Sequence, residues 1–132
     1  MSVASTSGQP IPELRLTPHK YVTIQYAGAS GDFNPIHIDD EFARSVGLPG
    51  KILHGLWSMA QVARAVRGAG GTDQRLRRLS VEFRDVGVPG VEVVVRGVMR
   101  DVQEDATVID AEMEQDGRRI IRNAQAELRP GP

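Results

Sequence analysis

Between His54 and Gly68 the chain carries Leu56, Met59, Ala60, Ala63 and Val66, interleaved with Trp57 and Val62, so that a helix there is apolar around most of its circumference. Only Gln61, Arg64 and Arg67 ask for water on that stretch. A helix of this kind has to be enclosed by another element. From Gln74 onward the apolar period changes from helical to alternating, the signature of strands with one buried face. Leu76, Leu79, Val81 and Phe83 begin the first strand, which ends before Gly87-Val88-Pro89-Gly90. Val91–Met99, Val108–Met113 and Ile120–Leu128 read as three more, and Asp116-Gly117 is a two-residue hairpin signal between the last two. One buried helix followed by a long antiparallel meander predicts an α+β domain in which a curved sheet wraps the helix. Arg77, Glu82, Arg84, Glu92 and Arg96 then belong on the sheet's water face.

A chain of 132 residues suits one domain with one core. Residues 1–12, rich in Ser, Pro and Gly, read as a flexible tail, and 13–132 as the domain. Thr17-Pro18 predicts a helix start, with Thr17 as N-cap and Pro18 at the first helical position. That helix runs to Ala29, with Tyr21, Ile24, Gly28 and, on the neighbouring row, Val22, Tyr26 and Ala29 at helical spacing. His19 is expected at its surface. Asp39 or Asp40 caps a second helix through Val46, ended by Gly47 and Pro49, and Gly68–Gly71 ends the main one. Formal net charge is −1, which gives no electrostatic case for nucleic acid. There is no cysteine, hence neither disulfide nor thiolate chemistry. No export signal or membrane-spanning run stands out, and a cytoplasmic location is expected.

Chemistry concentrates in Ser30-Gly31-Asp32-Phe33-Asn34-Pro35-Ile36-His37. Pro35 pushes Asn34 toward extended geometry, and Gly31, Asp32 and Asn34 all favour turns. A kinked loop can bring Asp32 and His37 together. A carboxylate and an imidazole sharing one water suit general acid-base catalysis near neutral pH. Asp32, His37, Asp39, Asp40 and His54 also form a rival, metal-ligating set, but Asp39-Asp40 precedes a helical pattern, where carboxylates cap, and no metal is expected. His54 is expected to be structural.

The run Tyr26–Asp39, with His54-Gly55 at the start of the long helix, resembles the signature of the MaoC-like, R-specific enoyl-CoA hydratases. The resemblance extends more loosely from about Leu14 to Leu128. It implies a hot-dog fold and reversible addition of water to a trans-2-enoyl thioester, giving the (R)-3-hydroxyacyl thioester. It also implies that Asp32 and His37 are the catalytic pair and that the Gly55 amide is the donor to the thioester carbonyl, a role that suits a first-turn amide at the positive end of a helix dipole. Asn34 is expected to brace the loop, and Leu53, Trp57, Phe42 and Tyr26 to line an acyl tunnel. Some relatives place a serine two turns along the main helix, where Ala63 stands here and Ser58 comes earlier. No cofactor is implied beyond coenzyme A or the carrier-protein pantetheine that forms part of the substrate. Arg75, Arg77, Arg78 and Arg84 are candidates for its phosphates. The implied assembly is a homodimer, or a heterodimer with a homologous hot-dog chain. The alternatives are an acyl-thioester-binding subunit that stabilises a catalytic partner, which would have no use for the Asp32/His37 pair, and a hot-dog thioesterase, whose acid the long helix lacks.

Overall fold

The computed structural model describes residues 7–71 and 73–131. Its centre is the helix α3, Gly55–Ala69, which a five-stranded antiparallel sheet encloses. The strands are β1 (Leu14–Leu16), β2 (Gln74–Phe83), β3 (Val93–Val102), β4 (Thr107–Gln115) and β5 (Arg118–Pro130), in the order β1-β3-β4-β5-β2. Two further helices, α1 (Val22–Ser30) and α2 (Asp40–Ser45), flank a single 3-10 turn at Pro35–His37. This α+β arrangement is the hot-dog fold.

The expected meander holds only for β3–β5. The first strand after the helix pairs with the last strand, Arg75 opposite Arg129 and Leu79 opposite Ala126, and not with its successor. It returns antiparallel beside α3, and the 84–92 connection then carries the chain across to the far side of the sheet. The Asp116-Gly117 turn does join β4 to β5, with both residues at positive φ.

Four other expectations need correction. Residues 7–12 are no tail: they run along β3, Gly8 N–H donating to the Met99 carbonyl and Ile11 N–H to the Gly97 carbonyl, and Ile11 is buried in the core. An exposed strand edge offers a row of donors and acceptors, and this segment takes them up, continuing into the unforeseen β1. Residues 1–6 lie outside the described residues. Thr17-Pro18 does not begin a helix; Pro18 is buried and its carbonyl accepts from Gly90 N–H, so a tertiary contact fixes the turn and α1 starts later, at Val22. On α1 the buried residues are Thr23 and Ala27, while Tyr21 and Ile24 are exposed. On α3 the buried side is Trp57, Ser58, Gln61, Val62, Ala65 and Val66. Gln61 is satisfied there by donating to the Trp57 carbonyl and accepting from Arg64, while Leu56 is 63% exposed. The sheet of this chain thus covers α3 on one side only.

The core gathers Val93, Val95, Met99, Ile109, Met113, Ile121 and Leu128 from the inward sheet positions against Trp57, Val62 and Val66. Outward positions carry cross-strand ion pairs such as Arg119–Glu112 and Arg122–Glu82.

Candidate active site

The loop between α1 and α2 is built from local hydrogen bonds. Gly31 ends α1 in the left-handed conformation, at φ 79°. Ser30 Oγ donates to the Tyr26 carbonyl and accepts from Asp32 N–H. Asp32 Oδ1 accepts from Asn34 N–H, and Asn34 Oδ1 accepts from Ile36 N–H, capping the 3-10 turn that Pro35 opens. Asn34 itself is extended, with ψ 128°, as the following proline requires. Asn34 therefore braces the loop. Asp39 caps α2 through Phe42 N–H, and Asp40 accepts from Lys51 N–H.

This scaffold turns His37 inward, where it is 7% exposed. Its Nδ1 lies 2.8 Å from the Ile52 carbonyl oxygen. A carbonyl only accepts, so Nδ1 carries a hydrogen, and in the neutral ring Nε2 is the acceptor. Nε2 lies 3.9 Å from Asp32 Oδ2, too far for a direct hydrogen bond but within reach of a shared third atom. Asp32 is half exposed, so the pair has one open side.

His54 underlies both. It is 2% exposed, stacks on the His37 ring at 3.8 Å with an interplanar angle of 19°, and meets Tyr26 on another side at 4.8 Å. Its Nε2 donates to the Asp32 backbone carbonyl over 3.0 Å, and its Nδ1 is buried without a partner. His54 was expected to be structural; the structure makes it the support on which the other two rest. Asp32, His37 and His54 bring ligand atoms within 4.8 Å of one another. Yet His54 Nε2 is already committed to the Asp32 carbonyl and its ring lies stacked on that of His37, whereas zinc draws imidazole nitrogens to about 2.0–2.1 Å. Asp39 and Asp40, the other candidate ligands, are engaged with the Phe42 and Lys51 backbone N–H groups.

Beside His37 opens a pocket of about 180 Å³, lined also by Leu53, Gly55, Ser58, Phe83, Ile120 and Ile121. Gly55 is the first residue of α3, and its N–H has no acceptor among the described residues. A Cβ on Gly55 would stand 3.2 Å from the Phe83 ring, so the glycine lets strand and helix close together here. Gly87 does the same for Leu53, whose side chain would lie 2.9 Å from an added Cβ. Asp85 lines the rim; the Val86 N–H and, second, the Arg118 guanidinium hold its carboxyl below the usual range. Of the expected tunnel residues only Leu53 lines this pocket, while Trp57 belongs to the core, Tyr26 to the His54 contact, and Phe42 to the exposed surface.

The family model for the MaoC like domain matches residues 3–118, from before the first strand to the start of the last. The chain belongs to the MaoC-like family. Among curated proteins, the fatty acid synthase beta subunit TOXC of Cochliobolus carbonum is 33% identical over 106 residues, 73% of this MaoC-like chain and 5% of that protein. The fatty acid synthase subunit beta of Aspergillus oryzae is 43% identical over 74 residues, 54% of this chain and 4% of that protein. The chain thus spans a small fraction of either relative. Among solved structures, a MaoC-like dehydratase from Phytophthora capsici is 27% identical with a TM-score of 0.77, over 98% of this chain and 45% of that one. The (R)-hydratase of A. caviae involved in PHA biosynthesis is 21% identical with a TM-score of 0.85, over 98% of this chain and 100% of that one. A chain of the ChsH1–ChsH2 complex from Mycobacterium tuberculosis is 19% identical with a TM-score of 0.87, over 97% and 100%. At those identities the last two speak for the fold.

In this MaoC-like domain Ser58 lines the pocket one turn beyond Gly55. Its spacing from the helix start was the available signal. Phe83, Ile120 and Ile121 gave none, because only strand pairing brings them there. Among the described residues no helix is long and apolar enough to cross a membrane.

Proposed function

We propose that the domain catalyses reversible hydration of trans-2-enoyl thioesters to (R)-3-hydroxyacyl thioesters, with Asp32 and His37 as the acid-base pair. The observation that carries this reading is the bare Nε2 of His37, fixed by the Ile52 carbonyl and set 3.9 Å from Asp32 Oδ2 beside the pocket. Family membership supports the reaction class. A water in the gap donates one hydrogen to Nε2 and is held through the other by Asp32. As its O–H bond breaks toward His37, its oxygen bonds C3, the C2=C3 π pair moves toward the carbonyl, and negative charge gathers on the thioester oxygen. The Gly55 N–H, unsatisfied and at the positive end of α3, is placed to receive that charge. C2 then takes a proton back from the pair, and the hydroxyl and hydrogen of one water have been added. No cofactor enters this scheme beyond the coenzyme A or pantetheine that the substrate itself carries. Leu53 and Ser58 bound the acyl end, and Trp57 supports them from the core.

The test is hydration of crotonyl-CoA by the purified chain, followed by loss of conjugated-thioester absorbance and by chiral analysis of the product. The expected result is the R product with turnover insensitive to chelator. His37→Ala and Asp32→Asn should each lower kcat by at least about 100-fold while leaving the fold intact. An S product, chelator-sensitive turnover, or a folded variant with ordinary kcat would each contradict the corresponding part of the scheme.

A further inference from the structure

Three serines stand in the helices of the described residues, and their hydroxyls are used differently. Ser30 Oγ donates to the Tyr26 carbonyl and Ser45 Oγ to the Phe42 carbonyl, the local back-bond that a helical serine readily makes. Ser58 makes no such bond. Its N–H donates to the His54 carbonyl as the helix requires, but its Oγ has no hydrogen-bond partner among the described residues. The residue is nevertheless only 5% exposed. Thr23 Oγ1 and His54 Nδ1 are unpartnered and fully shielded; the Ser58 hydroxyl is unpartnered and still open, on the wall of the pocket.

The pocket has three polar side chains, His37, Ser58 and Asp85. Asp85 is held by the Val86 N–H and by Arg118, and His37 Nδ1 by the Ile52 carbonyl. That leaves His37 Nε2 and Ser58 Oγ, with the free Gly55 N–H beside them. Gly55 and Ser58 are three residues apart, hence neighbours on one helix face, with Ser58 about 4.5 Å further along the axis. Helical side chains lean toward the N-terminus, which carries Ser58 Oγ back over the turn that Gly55 opens. Gly55 has no side chain in the way, and a Cβ there would meet Phe83. An acyl chain alone would leave both donors without an acceptor in a shielded place, whereas one oxygen between them satisfies both.

We propose that Ser58 is a catalytic residue whose hydroxyl is a second donor to the thioester carbonyl oxygen, forming with the Gly55 N–H a two-donor oxyanion site in the first turn of α3. This rests on the thioester reading of the pocket, and Ser58 then meets the acyl group at its carbonyl. As water adds at C3 and the C2=C3 pair moves toward the carbonyl, both hydrogen bonds tighten on the oxygen. Ser58 keeps its proton throughout, so the balance of the hydration is unchanged.

The experiment compares wild type with Ser58→Ala and Ser58→Thr, and takes Ser45→Ala as the back-bonded control. In crotonyl-CoA hydration, Ser58→Ala should lower kcat about 100-fold with KM little changed, the loss of one oxyanion donor. Ser58→Thr, which keeps the hydroxyl, should recover at least about 10-fold of that loss, and the control should match wild type. Wild-type kcat in Ser58→Ala, or a threonine variant as impaired as the alanine one, overturns the role of Ser58 and leaves the Asp32/His37 scheme standing. A second readout needs no turnover: the infrared carbonyl stretch of bound butyryl-CoA, a saturated thioester with no double bond to hydrate. Its frequency should fall on binding, and fall less in Ser58→Ala. If wild type hydrates no thioester, a carbonyl shift that depends on Ser58 keeps the donor site and discards the reaction. A shift independent of Ser58, or no bound butyryl-CoA, overturns the site. Should circular dichroism show Ser58→Ala to be poorly folded, Ser58→Cys, with only a weak S–H donor, replaces it with the same expected loss.

Discussion

At the scale of single residues, the proposed site depends on two backbone carbonyls as much as on Asp32 and His37 themselves. Ile52 fixes which nitrogen of His37 is bare, and the Asp32 carbonyl is held by His54. His54 is thus a positioning residue, and its two contributions can be separated. His54→Phe keeps a ring against His37 but leaves the Asp32 carbonyl without its donor, a loss of about 1–3 kcal/mol where the group is shielded. His54→Gln keeps an N–H but loses the stacked ring. We expect His54→Phe to lower kcat about 10-fold or more with KM little changed, and His54→Gln to recover much of that loss. Steady-state kinetics on both decides; a rise in KM with unaltered kcat would make His54 merely a pocket wall. Sequence made the Asp32–His37 turn legible because Gly31, Asp32, Asn34 and Pro35 act on their own backbone. The Ile52 contact, fifteen residues away, and the stacking of His54 on His37 left no local mark.

At the scale of elements, the start of α3 combines two duties in one glycine: an unsatisfied N–H and close packing against Phe83. Gly55→Pro removes the N–H at a helix position that tolerates proline. It should lower kcat/KM by roughly 100- to 1000-fold, the loss typical of one missing oxyanion donor. Gly55→Ala keeps the donor but crowds Phe83, so Gly55→Ala/Phe83→Leu is the matching control, expected near wild type. Equal losses in the proline and relieved alanine variants, measured alongside circular dichroism, would leave the donor role unsupported. The long helix and four of the strands were legible from period alone. Strand order was not, because β2 and β5 alternate as β3 and β4 do, and nothing local says which pairs with which. Nor was the apolar circumference of α3 a guide to its buried side: Leu56 faces out and Gln61 faces in, since an amide that finds its own partners buries readily.

At the scale of the whole molecule, β2 hydrogen-bonds a neighbour on one side only, and Leu56 and Phe83, at adjoining ends of α3 and β2, are 63% and 55% exposed. An open edge beside exposed apolar side chains invites a second hot-dog chain. We expect a dimer by light scattering, with itself or with a homologous chain; a monomer with full activity would refute this, and a folded but inactive homodimer would point to a missing partner. The pocket carries a consequence of another kind. Ile120 and Ile121, buried residues of the sheet itself, form part of its wall, and its volume is about 180 Å³; on the proposed reading this space receives the acyl chain. Loops elsewhere can be lengthened without touching a core, but this wall cannot recede unless the sheet gives up side chains that hold it together. Trimming either isoleucine to alanine would cost on the order of 2–5 kcal/mol. If the proposed acyl site is right, a descendant of this chain that accepts longer acyl groups by trimming this wall has to recover that stability elsewhere, which ties substrate range to heat tolerance.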